Sequence, residues 1–267
     1  MCVTANPAVI HSTRTYVYAT ELGGSPVHVC GYQNEARTLD GGNCMFLNFA
    51  GSDLRLVRGP EHTRRFMRDM TDELPELVYV PRMRGGSFSF GGTRGLSVED
   101  YGDYTVILAQ EAGDILSVLD QVPARRRPTS SSRLRDMVDF YMSWFGRDSF
   151  VLACFDGSAK PKHPITVSYQ PRNAGVLTIP GLDGHDGEVP TIGAPVYRDF
   201  KVAFAVNGVQ LPYAVRYDDH VDGMSWAPSS VTGFADNRPD GPNGDYVVPI
   251  EAVRQGLQGR ELAAALL

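Results

Sequence analysis

Arg14-Thr15-Tyr16-Val17-Tyr18-Ala19-Thr20, Leu22-Gly23-Gly24-Ser25 and Pro26-Val27-His28-Val29-Cys30-Gly31-Tyr32-Gln33 together decide the fold. β-Branched and aromatic residues fill both flanks and glycines stand between them, which predicts a β-hairpin. Strict alternation would turn His28 outward, opposite its two valine neighbours. Cys44–Ala50 and Leu54–Arg58 read as a second strand pair around Gly51-Ser52-Asp53. The period then changes: Phe66, Met67, Met70 and Leu74 recur at helical spacing, so a helix is expected over Pro60–Leu74. Glu76–Val80, Ser87–Phe90 and Tyr104–Ala109 read as strands, and Gly113–Val122 as a helix.

Arg133–Phe145 is an amphipathic helix, with Leu134, Met137, Val138, Tyr141 and Phe145 on one stripe. Further strands are expected at Phe150–Phe155, Ile165–Tyr169, Val176–Ile179, Val196–Val206 and Tyr213–Arg216, with a closing helix in Val248–Leu267. Residues 123–132 read as a loop, and residues 227–244, rich in Pro, Gly, Asn and Asp, as an irregular surface excursion. Strands thus come in adjacent hairpins with few helices between them. The expected class is α+β: a single domain over 1–267, a largely antiparallel two-sheet sandwich flanked by helices. No G-x-G-x-x-G and no G-x-x-x-x-G-K occurs, so a nucleotide-binding parallel sheet is not expected.

The chain has 267 residues and a formal net charge of −6. No apolar run approaches the ~18 residues of a membrane span, and the first residues lack a basic and apolar leader, so a soluble protein is expected. Arginine outnumbers lysine 22 to 3, which would suit a phosphate-binding groove. However, residues 1–133 carry 14 Arg against 15 acids, and residues 134–267 carry 11 basic residues against 16 acids. Neither half is basic, and Arg125-Arg126-Arg127 falls in the Ser/Pro-rich loop, so no nucleic-acid partner is expected. Cys30, Cys44 and Cys154 lie in apolar runs and read as reduced core thiols, which fits a cytoplasmic compartment. No C-x-x-C pair or zinc-type spacing appears.

Cys2 differs from the other three. Removal of Met1 would give it a free α-amine, with an ordinary pKa of ~8, able to take the thiol's proton. The thiolate would then attack an amide carbonyl while nearby donors hold the oxyanion. Met1-Cys2 followed by early antiparallel strands resembles the N-terminal nucleophile hydrolases of the cholylglycine-hydrolase-like type. The likeness implies a four-layer αββα sandwich. The second strand of that type ends in Gly-Arg-Asn-x-Asp; here Gly31-Tyr32-Gln33-Asn34 keeps the Gly and the Asn but not the Arg or the Asp. The resemblance covers about the first 35 residues directly and the rest only through strand order. It implies roles for Asn34 and Asn173 as oxyanion donors and for Arg216 in positioning substrate. Arg14, which opens the first strand, could reach back toward Cys2 and hold a substrate carboxylate. His11 or His28 beside Cys2 would make a cysteine-protease-like pair.

Three readings follow. The first is an amidohydrolase acting on a C–N amide bond through Cys2, with a small-molecule or peptide amide substrate, no cofactor and no membrane partner. The second is a non-catalytic structural or interaction protein of a larger assembly, with loops 123–132 and 227–244 as contact surfaces and homo-oligomers compatible with it. The third is a metal-dependent hydrolase, in which Asp183, His185 and Asp186 converge with Asp218 and His220 on a divalent ion.

Overall fold

Why a residue falls in a strand here is mostly a matter of what covers it on each side. The computed structural model describes residues 3–38, 41–58, 65–77, 95–157, 163–217 and 226–266. The hairpin is the longest feature: β2 (Ala8–Leu22) and β3 (Ser25–Thr38) pair antiparallel from Leu22↔Ser25 to Ala8↔Thr38. Gly23 and Gly24 turn it with φ of 59° and 79°, a region that costs glycine nothing. The register shifts between His11 and Arg14, where Ser12 takes φ 54° and gives its N–H to Asp199 Oδ2 at 2.8 Å.

The other strands are β1 (Val3–Thr4), β4 (Gly42–Phe49), β5 (Gly51–Leu56), β6 (Leu96–Tyr101), β7 (Tyr104–Ala109), β8 (Ser149–Asp156), β9 (Ile165–Pro171), β10 (Val176–Ile179), β11 (Pro195–Val196), β12 (Phe200–Val206), β13 (Tyr213–Ala214), β14 (Ser230–Asp236), β15 (Gly241–Pro242) and β16 (Tyr246–Pro249). The helices are α1 (Phe66–Thr71), a 3-10 helix (Ala112–Gln121), α2 (Ser131–Phe145), α3 (Ile250–Arg254) and α4 (Gly259–Ala264). A five-stranded sheet runs β1-β4-β8-β7-β6 and a seven-stranded one β13-β14-β12-β2-β3-β9-β5, with the ribbons β10-β16 and β11-β15 beside them. Among the described residues, strand-to-strand pairing is antiparallel except between β2 and β12, and Val3↔Gly184 and Glu76↔Ala235 add isolated parallel bridges. The protein is therefore α+β, mostly sheet, with few helices.

The five-stranded sheet is covered on both faces, which is why β4, β7 and most of β8 are buried along their length without alternation. Cys44, Phe46, Ile107, Phe150, Leu152 and Cys154 face a core closed by Leu134, Met137, Val138 and Tyr141 of α2. Phe46 stacks on Tyr141 with ring centroids 4.2 Å apart. Met45, Leu47, Val151 and Ala153 face the larger core, shared with Val17, Val29, Phe204 and Phe234 of the seven-stranded sheet. Ser130 caps α2 by accepting the Arg133 N–H.

Several expectations are corrected. β4 and β5 do not pair with each other; the chain passes at Ala50 from one sheet to the other, and β5 pairs with β9. Residues 227–244 are no surface excursion, since they contain β14, every residue of which is buried. His28 faces inward and is 2% exposed, its ring edge-on to Tyr169 at 5.7 Å. The helix begins within the expected stretch at Phe66, and Gly113–Val122 is wound as 3-10. The strand expected at Ser87–Phe90 lies outside the described residues.

Candidate functional site

The long connection between β10 and β12 combines exposed apolar side chains with a buried polar frame. Val189 (43% exposed), Ile192 (38%) and Tyr197 (59%) face solvent from it. They are three of the eight large hydrophobic residues exposed among the described positions, so apolar exposure is concentrated in this loop. An unbraced loop would have little reason to keep such side chains in water.

Arg198 supplies the brace. It is 2% exposed, and one terminal nitrogen donates to the Gly181 carbonyl. The other donates to the carbonyls of Pro242 (2.6 Å) and Gly244 (2.8 Å). Its guanidinium lies over the rings of Phe200 (5.4 Å) and Tyr246 (5.1 Å). Planar, forked and permanently charged, Arg is suited to gather three backbone oxygens in this way. Gly241 leaves room for the stem, because a Cβ there would come within 2.6 Å of Arg198 Cγ.

The counter-charge is Asp236, fully buried at the end of β14. It accepts both Arg238 Nε and Nη2 at 2.7 Å and the Tyr246 hydroxyl at 2.8 Å. Burial alone would push this carboxyl up; the bonds from Arg238 and Tyr246, with the Arg238 and Arg198 charges, outweigh it and hold the carboxyl below its ordinary value. Asp245 secures the start of the loop by accepting the N–H groups of Gly181 (2.9 Å) and Leu182 (3.3 Å). Asn48 Nδ2 bridges Asp245 and Asp148 at 3.0 Å each, tying this frame to β4. Burial pushes the carboxyls of Asp148 and Asp245 up. Asn243 completes the frame: its amide exchanges two 2.7 Å bonds with the backbone of Asp183, and its carbonyl accepts the Gly193 N–H.

The metal candidates sit at one end of this loop. Asp183 Oδ1 and His185 Nδ1 are 2.7 Å apart, and Asp186 accepts the Glu188 N–H. Among the described residues, no group of three or more His, Cys, Asp or Glu is placed to hold a metal ion. Asp218 and His220 lie outside the described residues. The Asp183 hydrogen bond, opposed by burial, raises the His185 pKa. A raised pKa means the pair stabilises the folded chain fully below the unfolded value near 6.5 and loses that effect as pH rises through the folded pKa. His185→Asn is accordingly expected to lower the melting temperature at pH 6 more than at pH 9. Equal losses at both values would show the pair to be electrostatically idle.

The catalytic candidates that lie among the described residues are held in separate places. Cys2 lies outside the described residues. Arg14 reaches Asp72 Oδ1 at 3.4 Å, where Lys201 also binds. It is in register with Gln33, so Asn34 issues from the opposite face of β3; Asn34 is buried with its amide on Met45 Sδ. Asn173 forms the turn after β9 by accepting the Gly175 N–H at 2.9 Å, and Arg216 is exposed. The sequence carries no signal that singles out Arg198: it stands beside Asp199 between Tyr197 and Phe200, inside a run that reads as strand.

No helix among the described residues is long and apolar enough to cross a membrane. No family model matches the chain, and no curated protein matches it. Solved structures of baculovirus P35 are similar to it: one shares 14% identity over 94% of this chain and 92% of that one, at a TM-score of 0.43. A caspase-8/P35 complex shares 12% over 90% and 89%, at 0.41, and a mutated P35 after caspase cleavage 12% over 74% and 68%, at 0.42. These structures are of P35 and none of them is of an N-terminal nucleophile hydrolase, so the expected amidohydrolase activity and its small-molecule or peptide amide substrate are withdrawn.

Proposed function

We propose that the chain is a non-catalytic interaction protein that presents the loop between β10 and β12 to a protein partner. The observation that carries this reading is the exposure of Val189, Ile192 and Tyr197 on one loop whose backbone is fixed by Arg198, Asp245 and Asn243. A fixed loop loses little conformational entropy on binding, and apolar and aromatic anchors supply most of the energy of protein interfaces. The contact surface is thus moved from the expected 227–244, whose strand is buried. The caspase-8 complex is a property of P35 and is not carried over; the reading rests on the surface of this chain. We further read the five- and seven-stranded sheets as two layers of a sandwich, with α2 outside the first and α1, α3 and α4 outside the second.

The test is quantitative affinity capture with the wild type and with Ile192→Asp/Tyr197→Ala. Two rim-to-core anchors of this kind are worth about 2–4 kcal/mol together, so the bound partner should fall by ~30-fold or more while the melting temperature stays unchanged. A partner retained equally by both proteins would remove the loop from the interface.

A further inference from the structure

Cys44 on β4 and Cys154 on β8 stand directly opposite each other in the antiparallel register. Such a pair is either hydrogen-bonded through the backbone, with Cα atoms about 5.5 Å apart, or non-hydrogen-bonded, at about 4.5 Å with the side chains closer. The direction of the Cys44 amide decides which. It donates to Asn43 Oδ1 at 2.8 Å, and that same oxygen accepts the N–H of Asn6, just beyond β1, at 3.1 Å. The Cys44 N–H therefore points to the β1 side and away from β8. The next residue agrees. Thr4, opposite Met45, gives its N–H to the Gly184 carbonyl rather than to β4, so Met45 and not Cys44 bonds across to β8.

Cys44 and Cys154 thus form a non-hydrogen-bonded pair, whose ~4.5 Å Cα separation falls inside the ~4.4–6.8 Å that disulfides span. Both side chains enter the same core, the one that α2 helps to close, and both are thiols in the structure. Cys30 belongs to the other core, on the far side of the five-stranded sheet.

We propose that Cys44 and Cys154 are a latent disulfide site, closed by a small disulfide oxidant of the glutathione-disulfide class. One protein thiol, deprotonated, attacks an oxidant sulfur, forms a mixed disulfide and expels one oxidant thiolate. The second protein thiol, deprotonated in turn, attacks the protein sulfur of that mixed disulfide and expels the other thiolate. The S–S bond of the oxidant breaks and one forms in the protein; two electrons pass to the oxidant, and its two sulfurs leave as thiols with the two protons. Burial, aided by Cys44 alongside, pushes the Cys154 thiol well up, so thiolate is scarce and the reaction waits on lifting of α2.

The experiment incubates the full chain with oxidised glutathione, blocks remaining thiols and maps peptides without reduction. The expected product is a linked peptide pair containing Cys44 and Cys154, two hydrogens lighter than the reduced pair and reversed by dithiothreitol. The closed loop is long, and the melting temperature should rise by ~10 °C. A second arm refolds the urea-unfolded chain in the same redox buffer, which removes the access barrier. Links from Cys2 or Cys30 in place of the pair, a persistent glutathione adduct, or thiols at both positions after refolding would each overturn the proposal.

Discussion

Arg198→Met is expected to cost about 4 kcal/mol of folding stability, measured as a shift in urea midpoint at unchanged slope. Methionine fills part of the volume but leaves the buried carbonyl of Gly181 and the part-buried carbonyls of Pro242 and Gly244 without the Arg198 donors. It also withdraws a positive charge that helps keep Asp236 ionised. Domains of this size are commonly stable by only ~5–15 kcal/mol, so the variant should stand near the edge of unfolding at 37 °C. Arg198→Lys keeps the charge but not the planar fork, and should lose roughly half as much. Amides of residues 181–198 should lose hydrogen-exchange protection first, because the brace is local to their loop. A methionine variant within 1 kcal/mol of wild type, with protection intact, would mean the loop is held by other means.

His28 should make the fold acid-sensitive. Burial lowers its pKa to about 4, whereas the unfolded chain carries an ordinary imidazole near 6.5. Between these values the unfolded state binds a proton that the folded state refuses, so unfolding is favoured as pH falls. The contribution is complete above pH 6.5 and declines down to pH 4, a loss approaching ~3 kcal/mol. Urea titrations of wild type and His28→Gln at pH 7, 6, 5 and 4 isolate it. The variant starts less stable at pH 7, since glutamine forfeits the contact with Tyr169, but the gap should close as pH falls. Parallel pH profiles would assign the acid sensitivity elsewhere.

How much of this was legible in the sequence varies with what sets each element. Tyr104–Ala109 and Val176–Ile179 were read to the residue, because continuous apolar or alternating runs end at clear turn residues. The hairpin is legible but runs longer than its sequence signal, since His11-Ser12-Thr13 interrupts the apolar run that Val9 and Ile10 begin. Ser230–Asp236 was missed because its Pro-, Gly- and Asn-rich flanks drowned it, and because Gly233 looks like a turn residue. It is in fact there for close approach: a Cβ at that position would lie 2.0 Å from the Val202 carbonyl oxygen. The β4–β5 pairing failed for a different reason, since local sequence reports a chain reversal but not which sheet receives the next strand. Arg198 was invisible because nothing in a single sequence separates a buried arginine from an exposed one; its role depends on carbonyls more than forty positions downstream.

The parallel pairing of β2 with β12, from Thr13↔Phe200 to Ala19↔Val206, has a consequence for synthesis of the chain. The first hairpin emerges from the ribosome early, yet one edge of β2 has no partner until most of the protein has been made. During that interval the edge is open to any other extended chain, and contacts so distant in sequence form slowly. Truncation anywhere before residue 200 is therefore expected to give aggregates rather than a smaller soluble fold, and production of the intact protein should benefit from slower translation or a holding chaperone.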